Sequence, residues 1–339
     1  MTTRRPAPLL SILALGGASM LVAACGGGAG TAESSSAAAP ATSAASSPTA
    51  EPSPSAEPLK VVAAFYPLQY AAEQVGGAAV EVTNLTPPGA EPHDLELTPQ
   101  DVALIGEADL VLYIPGFQPA LDEAIAQEAA DRSVDVTTEL PDLLKGHDHD
   151  HSDEGHSDEG HDHGDETGID PHVWLNPINM GLIGGQIAER LAEIAPESTE
   201  SFVSGSDALM SAMQLLDTEW ASGTAECANR LLVVSHEAFG YLAAQYNFEQ
   251  VGISGLSPDA EPSPAKVAEV IDIVKSDGVT TIYFETLVDP KIAEVVAAET
   301  GAQTATLDPL EGLTDGASGD YVSIMQANLA SVQAGNGCA

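Results

Sequence analysis

From residue 59 onward the chain alternates short runs rich in β-branched residues with stretches of helix length, and it does so in two separate series. Residues 59–65, 80–85, 109–114 and 133–136 read as strands, with helices predicted at 68–75, 99–107 and 120–130 between them. Strands and helices in this rhythm have few solutions other than a parallel sheet covered on both faces. The second series has strands at 230–234, 248–253, 280–284 and 303–307, and helices at 237–246, 265–275, 290–300 and 319–332. Between the two series lie 177–195 and 197–220, long helices with apolar residues at helical spacing, divided by Pro196. The roughly 280 residues involved exceed what one core usually supports. The expected fold is therefore α/β, with two βα lobes built on parallel sheets and joined by a long backbone helix. The N-terminal lobe is placed at 59–195, and the connecting helix with the C-terminal lobe at 196–339.

What precedes residue 59 cannot join that core. Residues 1–24 carry Arg4 and Arg5 ahead of an apolar run that closes on Val22-Ala23-Ala24 before Cys25, the form of a secretory signal. The ending on Cys resembles the lipobox of bacterial lipoproteins, which implies a lipoprotein signal peptide over 1–24, cleavage before Cys25 and acylation of its thiol. Of the 33 residues 26–58, 30 are Ala, Ser, Pro, Gly or Thr. Residues 25–58 are accordingly expected to be an acylated Cys and a disordered tether that holds the folded part on the order of 30 Å from lipid. The chain is thus expected to be exported and lipid-anchored to the outer face of the cytoplasmic membrane, periplasmic or at the cell surface.

Lys and Arg together number 10 against 51 Asp and Glu, a formal net charge of −41. A field of that sign repels nucleic acid and favours cations. With Cys25 assigned to lipid, Cys227 and Cys338 remain as an even pair in an oxidising compartment, which makes them a candidate disulfide.

Residues 147–166 contain six histidines (His147, His149, His151, His156, His161, His163), nine acidic residues and nothing apolar. Imidazole and carboxylate together are the donors of borderline divalent metals, zinc above all, and a segment without apolar residues has nothing to bury. It reads as an accessory metal-attracting loop. Outside it the chain has three histidines, His93, His172 and His236, each at the end of an expected element. Ligands of open parallel α/β sheets bind beyond the carboxyl ends of the strands, where His93, His236, Asp308 and Glu311 all fall. Three imidazoles and one carboxylate would complete a tetrahedral zinc shell. A lone histidine is more often a hydrogen-bonding residue than a ligand, and Asp94, Asp170 and Asp308 also suit caps or turns.

The pieces Pro92-His93-Asp94, Asp170-Pro171-His172-Val173-Trp174, Ser235-His236-Glu237-Ala238-Phe239-Gly240-Tyr241 and Gly255-Leu256-Ser257-Pro258-Asp259-Ala260-Glu261-Pro262-Ser263-Pro264 resemble those of the metal-binding substrate-binding proteins of ABC transporters. The resemblance spans nearly all of 59–332. It implies two lobes bridged by a long helix, metal held in the cleft between them, and delivery to a membrane permease driven by a cytoplasmic ATPase. A His-rich acidic loop just before the second ligand resembles the zinc members. Carried over residue by residue, the resemblance makes His93, His172 and His236 ligands. The manganese members usually have a carboxylate where His236 stands; imidazole suits zinc, so Zn2+ is the expected cargo, with manganese or copper less suited. Some zinc members place a Glu immediately before the first His, a position held here by Pro92, so the fourth donor is Asp308, Glu311 or water. A monomer is expected.

An exported zinc hydrolase would need an open coordination position and a nearby base. The run His236-Glu237-Ala238-Phe239-Gly240 has Gly240 where the zincin spacing requires its second His, so the chain is expected not to be an enzyme. A passive surface zinc store or adhesin would use the same ligands without a transporter.

Overall fold

The computed structural model describes residues 57–146, 168–314, 316 and 319–339. The signal peptide, Cys25, all but the last residues of the tether, and the six histidines of 147–166 lie outside the described residues.

The first series folds as β1 (Leu59–Ala63), α1 (Tyr66–Gly76), β2 (Val80–Asn84), α2 (Pro99–Glu107), β3 (Leu110–Tyr113), α3 (Pro119–Glu128) and β4 (Ser133–Asp135). Two long helices follow, α4 (Pro177–Ile194) and α5 (Thr199–Gly223), with a single 3₁₀ turn at Pro196–Ser198 between them. The second series is β5 (Leu231–Val234), α6 (Gly240–Tyr246), β6 (Glu249–Gly252), α7 (Pro264–Ser276), β7 (Thr281–Phe284), α8 (Lys291–Thr300), β8 (Gln303–Thr306) and α9 (Tyr321–Asn336). Each series gives one four-stranded, wholly parallel sheet, in the orders β2-β1-β3-β4 and β6-β5-β7-β8. The two lobes therefore share one topology, and in each the strand order reverses once, leaving a crevice at the carboxyl ends.

Local chemistry sets where the helices start. Pro occupies the first turn of α2, α4 and α7, where its missing N–H costs nothing, and Thr98, Asn176 and Ser263 cap the respective N-termini. α5 is 25 residues long, about 37 Å at 1.5 Å per residue, and packs against α1, α4 and α9. Its approach to α1 is close enough to require Gly205, because a Cβ there would lie 2.5 Å from the Val75 carbonyl oxygen.

The core is unevenly divided. One continuous cluster takes in both faces of the N-terminal sheet, α4, α5 and the side of the C-terminal sheet that carries Leu232, Val234 and Tyr283. A smaller cluster lies on the other side of that sheet, where Val233 and Ile282 meet Val270 and Val274 of α7 and Val296 of α8. The connecting helix is thus part of the core rather than a strap across it. At the far end, Cys227 and Cys338 are joined as a disulfide. Beside it the Asn336 side chain donates to the carbonyls of Asn229 and Leu231 and accepts from the Tyr283 hydroxyl.

One element differs from the sequence expectation in a way that matters. Residues 237–239 stay out of α6, because the Glu237 N–H donates to the Gly255 carbonyl (2.8 Å) and the Ser254 N–H to the Ser235 carbonyl (2.8 Å). These bonds hold His236 in a short loop tied to its neighbour instead of on a helix.

Candidate metal centre

Four side chains converge at the carboxyl ends of the two sheets. His93 comes from the loop between β2 and α2, His172 from the segment leading into α4, His236 from the loop after β5, and Glu311 from the loop after β8. One ligand atom from each lies within 4.8 Å of all the others. Glu311 Oε1 is 3.4 Å from His93 Nε2, 3.2 Å from His172 Nε2 and 3.1 Å from His236 Nε2. The His172 and His236 Nε2 atoms are 3.4 Å apart. Donors on a tetrahedron with metal bonds of about 2.0 Å are separated by about 3.3 Å along each edge, so these spacings match a zinc-sized shell. Two buried atoms here, His93 Nε2 and Glu311 Oε2, have no hydrogen-bond partner. A cation would satisfy both.

The other ring nitrogens settle which atoms face the centre. His172 Nδ1 lies 2.7 Å from Asp170 Oδ1, which also accepts the His172 backbone N–H at 3.0 Å. His236 Nδ1 lies 2.8 Å from Glu285 Oε1, which also accepts from the Ser235 hydroxyl at 2.6 Å. An ionised carboxylate only accepts, so both rings keep a proton on Nδ1, and Nε2 is the atom each would offer to a metal once any proton there is displaced. His93 is held differently. Its backbone N–H donates to Glu91 Oε2 (3.0 Å) and its ring meets the Phe117 ring edge to face at 4.6 Å. Phe117 packs in turn, with tilted rings, against Phe65 and Trp174.

The electrostatics follow from burial and these partners. Burial alone would lower His236, yet Glu311 and Glu285 outweigh it and push it up to about 10. His172 is raised in the same way, burial being overcome by Asp170 and Glu311. Burial opposes the Glu311 charge, but His236, His172 and His93 hold its carboxyl well below the usual range. His93 is lowered, chiefly by burial. Burial, with the nearby Glu311, pushes Glu91 up to about 8.

The loop that aims Glu311 is built with some care. Leu310 is fully buried with φ of 60°, a left-handed conformation that costs a branched residue roughly 1 kcal/mol or more. Asp308 makes it possible. Its Oδ1 accepts from the Leu310 N–H (2.8 Å), its Oδ2 from the Thr286 hydroxyl (3.0 Å), and Asn328 brackets its backbone on both sides. Trp174 Nε1 donates to the Pro309 carbonyl at 2.7 Å, tying this loop to the N-terminal half. Asp308, a ligand candidate by sequence, is therefore not brought into the group, because both its oxygens are spent on the turn that positions Glu311.

Two anchoring carboxylates differ in legibility. Asp170 stood out as a cap and also anchors a ring. Glu285 was missed, although it directly follows the strand expected at 280–284 and sits where the strand order reverses, the place a ligand group is expected. Ahead of His172, the Gly146 N–H donates to the Gly168 carbonyl and Lys145 pairs with Ile169, forming a neck between described residues. Tyr241 of α6 bridges this neck, accepting from the Leu144 N–H and donating to the Asp170 carbonyl, each at 3.0 Å.

A family model described as ZnuA, zinc-uptake complex component A, periplasmic, matches residues 61–335. The chain is 35% identical over 282 residues to the zinc-binding lipoprotein AdcA of Streptococcus pneumoniae serotype 4, covering 80% of this chain and 54% of that protein. It is 36% identical over 279 residues to the high-affinity zinc uptake system protein ZnuA of Bacillus subtilis, covering 80% of this chain and 85% of that one. Among solved structures, the Zn(II)-bound ZnuA-like domain of Streptococcus pneumoniae AdcA is similar with a TM-score of 0.67 at 32% identity, over 82% of this chain and 99% of that chain. The chain spans about half the length of the streptococcal AdcA proteins it matches, 54% for the pneumococcal one.

Proposed function

We propose, from the premise that this chain belongs to the ZnuA family of zinc-uptake components, that it captures Zn2+ outside the cytoplasm and delivers it to an ABC permease for uptake. The observation that carries this reading is the convergence of His93, His172, His236 and Glu311 within 4.8 Å, with the three Glu311–His distances and the His172–His236 distance at 3.1–3.4 Å, close to the edge of a tetrahedral zinc shell. Four protein donors fill a tetrahedron and leave no position for an activated water, which favours holding the ion over hydrolysis. Three imidazoles to one carboxylate favour zinc over manganese, whose preference is for oxygen. Donor chemistry alone does not exclude copper, whose exclusion would depend on geometry and supply.

Donors arrive from both halves of the chain, so the ion fastens the lobes to each other, and the shared core around α5 limits how far they part. Release then depends on the transporter, a permease with its ATPase. The lipobox-like ending at Cys25 is consistent with anchoring at the outer face of the membrane, within reach of that permease. The His-rich segment 147–166 is read as a weak collector that feeds the cleft.

Calorimetric titration of the full chain with zinc, manganese and copper, with and without 147–166, tests this. One tight zinc site that survives the deletion and is lost in His236→Ala is expected. Loss of all tight binding on deletion would place the metal in the loop and sink the assignment.

A further inference from the structure

Glu285 has a second oxygen with no stated use. Its Oε1 serves Ser235 and His236, whereas Oε2 is buried without a hydrogen-bond partner in a side chain only 2% exposed. Leaving a carboxylate oxygen buried and unpaired is costly, so this atom calls for a donor. Glu285 also lines a cavity of about 250 Å³ between the loop after β6 and the loop after β7. That is more than one or two waters fill.

The walls of the cavity say what suits it. Pro258, Pro262, Val288 and Ile292 line it with apolar surface, and Asp259 and Glu261 add acid. Lys291, the nearest cation in sequence, is paired with Asp289 at the surface. Among the described residues these acids do not converge as a metal-ligand group; the only such group is the histidine cluster. A cavity with apolar walls and carboxylates in its lining instead suits a flexible aliphatic stem bearing a hydrogen-bonding cation. The chain's net charge of −41 favours an approaching cation.

We propose that this cavity receives one arginine or lysine side chain of the membrane transporter, and that its pairing with Glu285 Oε2 loosens His236 from the zinc. The proposal rests on the capture-and-delivery reading above. The anionic Glu285 strengthens His236 as a ligand through the Nδ1 hydrogen bond. A cation on the other oxygen withdraws that negative charge and adds a positive one near the ion, so both effects act toward release. Reciprocity requires zinc to weaken the binding of the cation by the same factor.

The test uses the full chain and N-acetyl-arginine amide as the probe, with N-acetyl-norleucine amide as the uncharged control. Probe binding to the metal-free chain is read by calorimetry, and zinc affinity is read with a competing chromophoric chelator at saturating probe. A roughly tenfold weakening of zinc is expected, the lower end of what loss of an outer partner does. Ala260→Trp, at the cavity wall and outside the zinc shell, should keep zinc affinity and abolish the probe effect; Ile292→Trp is a second plug if the first fails to fold. No probe binding, an equal effect of the norleucine control, persistence in a folded plugged variant, or binding without any change in zinc affinity would each overturn the proposal. A chain that fails to bind zinc in the cleft but still takes the probe would sink the capture reading while leaving the cation pocket standing.

Discussion

The loops carrying His93 and His236 bring the same side chain to the same point by opposite means. The first is long and proline-rich, holds its histidine by a backbone bond to Glu91 and an aromatic contact to Phe117, and leaves the side chain 10% exposed. The second places His236 two residues past the end of β5, 1% exposed, with its backbone neighbours bonded to the loop after β6 and its ring anchored on Glu285. One imidazole is kept neutral by burial, the other is made basic by carboxylates. The difference teaches that the proposed metal site would be half preformed: His172, His236 and Glu311 are held by their partners, and His93 lies on the more exposed side.

Removing the fixed and the closing ligand should therefore cost different amounts. His236→Ala is expected to lose about 3 kcal/mol of zinc binding, more than a hundredfold, whereas His93→Ala should lose about tenfold because water can enter from its exposed side. Equal losses by calorimetry would break the comparison.

The two rings also differ as proton holders. His236, raised to about 10, keeps its proton through neutral pH until zinc displaces it, while His93, lowered, has none to give there. Zinc affinity should thus keep rising by about tenfold per pH unit for each proton displaced, well beyond the ordinary histidine range. For the metal-free chain the sign is reversed: the stability from the raised His236 is fully present below pH of about 6.5 and lost as pH rises through about 10. Proton release on zinc binding, measured in buffers of different ionisation heat, should fall in His236→Ala and stay unchanged in His93→Ala.

Neutralising the anchor sharpens the contrast further. Glu285→Gln keeps a hydrogen-bond acceptor for His236 without the charge, and should weaken zinc roughly tenfold. The matching change Glu91→Gln, at a residue that holds His93 through its backbone N–H rather than its ring, should leave affinity within about twofold in the same titration. Asp308→Ala should fall between these two. Losing the turn that holds Leu310 should cost about 1 kcal/mol, a few-fold in zinc affinity, with Glu311 still present; a loss as large as that of His236→Ala would return Asp308 to the ligand set.

The architecture was legible because β-branched runs and helical spacing are local properties, and two series of them allow little besides two parallel sheets. The three histidines were legible by scarcity, once the run 147–166 was set aside. What stayed hidden depends on contacts distant in sequence. Nothing local separates Asp308 from Glu311, both acidic residues beyond β8; only the Leu310 turn and the bonds from Thr286 and Asn328 turn one outward and the other in. Glu285 was invisible for the same reason, since its partner His236 lies 49 residues away. The helix expected at 237–246 began late because the bonds to Ser235 and Gly255 outcompete helical propensity.

The bond between Cys227 and Cys338 closes a ring of chain that contains every strand of the second sheet and the helices α6 to α9. A protease that cuts one exposed turn inside that ring severs the backbone without detaching anything, since both new ends remain covalently joined through the sulfurs. The nicked lobe still carries His236, Glu285 and Glu311 on one connected piece, and an intact-looking mass without reductant would fall into two fragments with it.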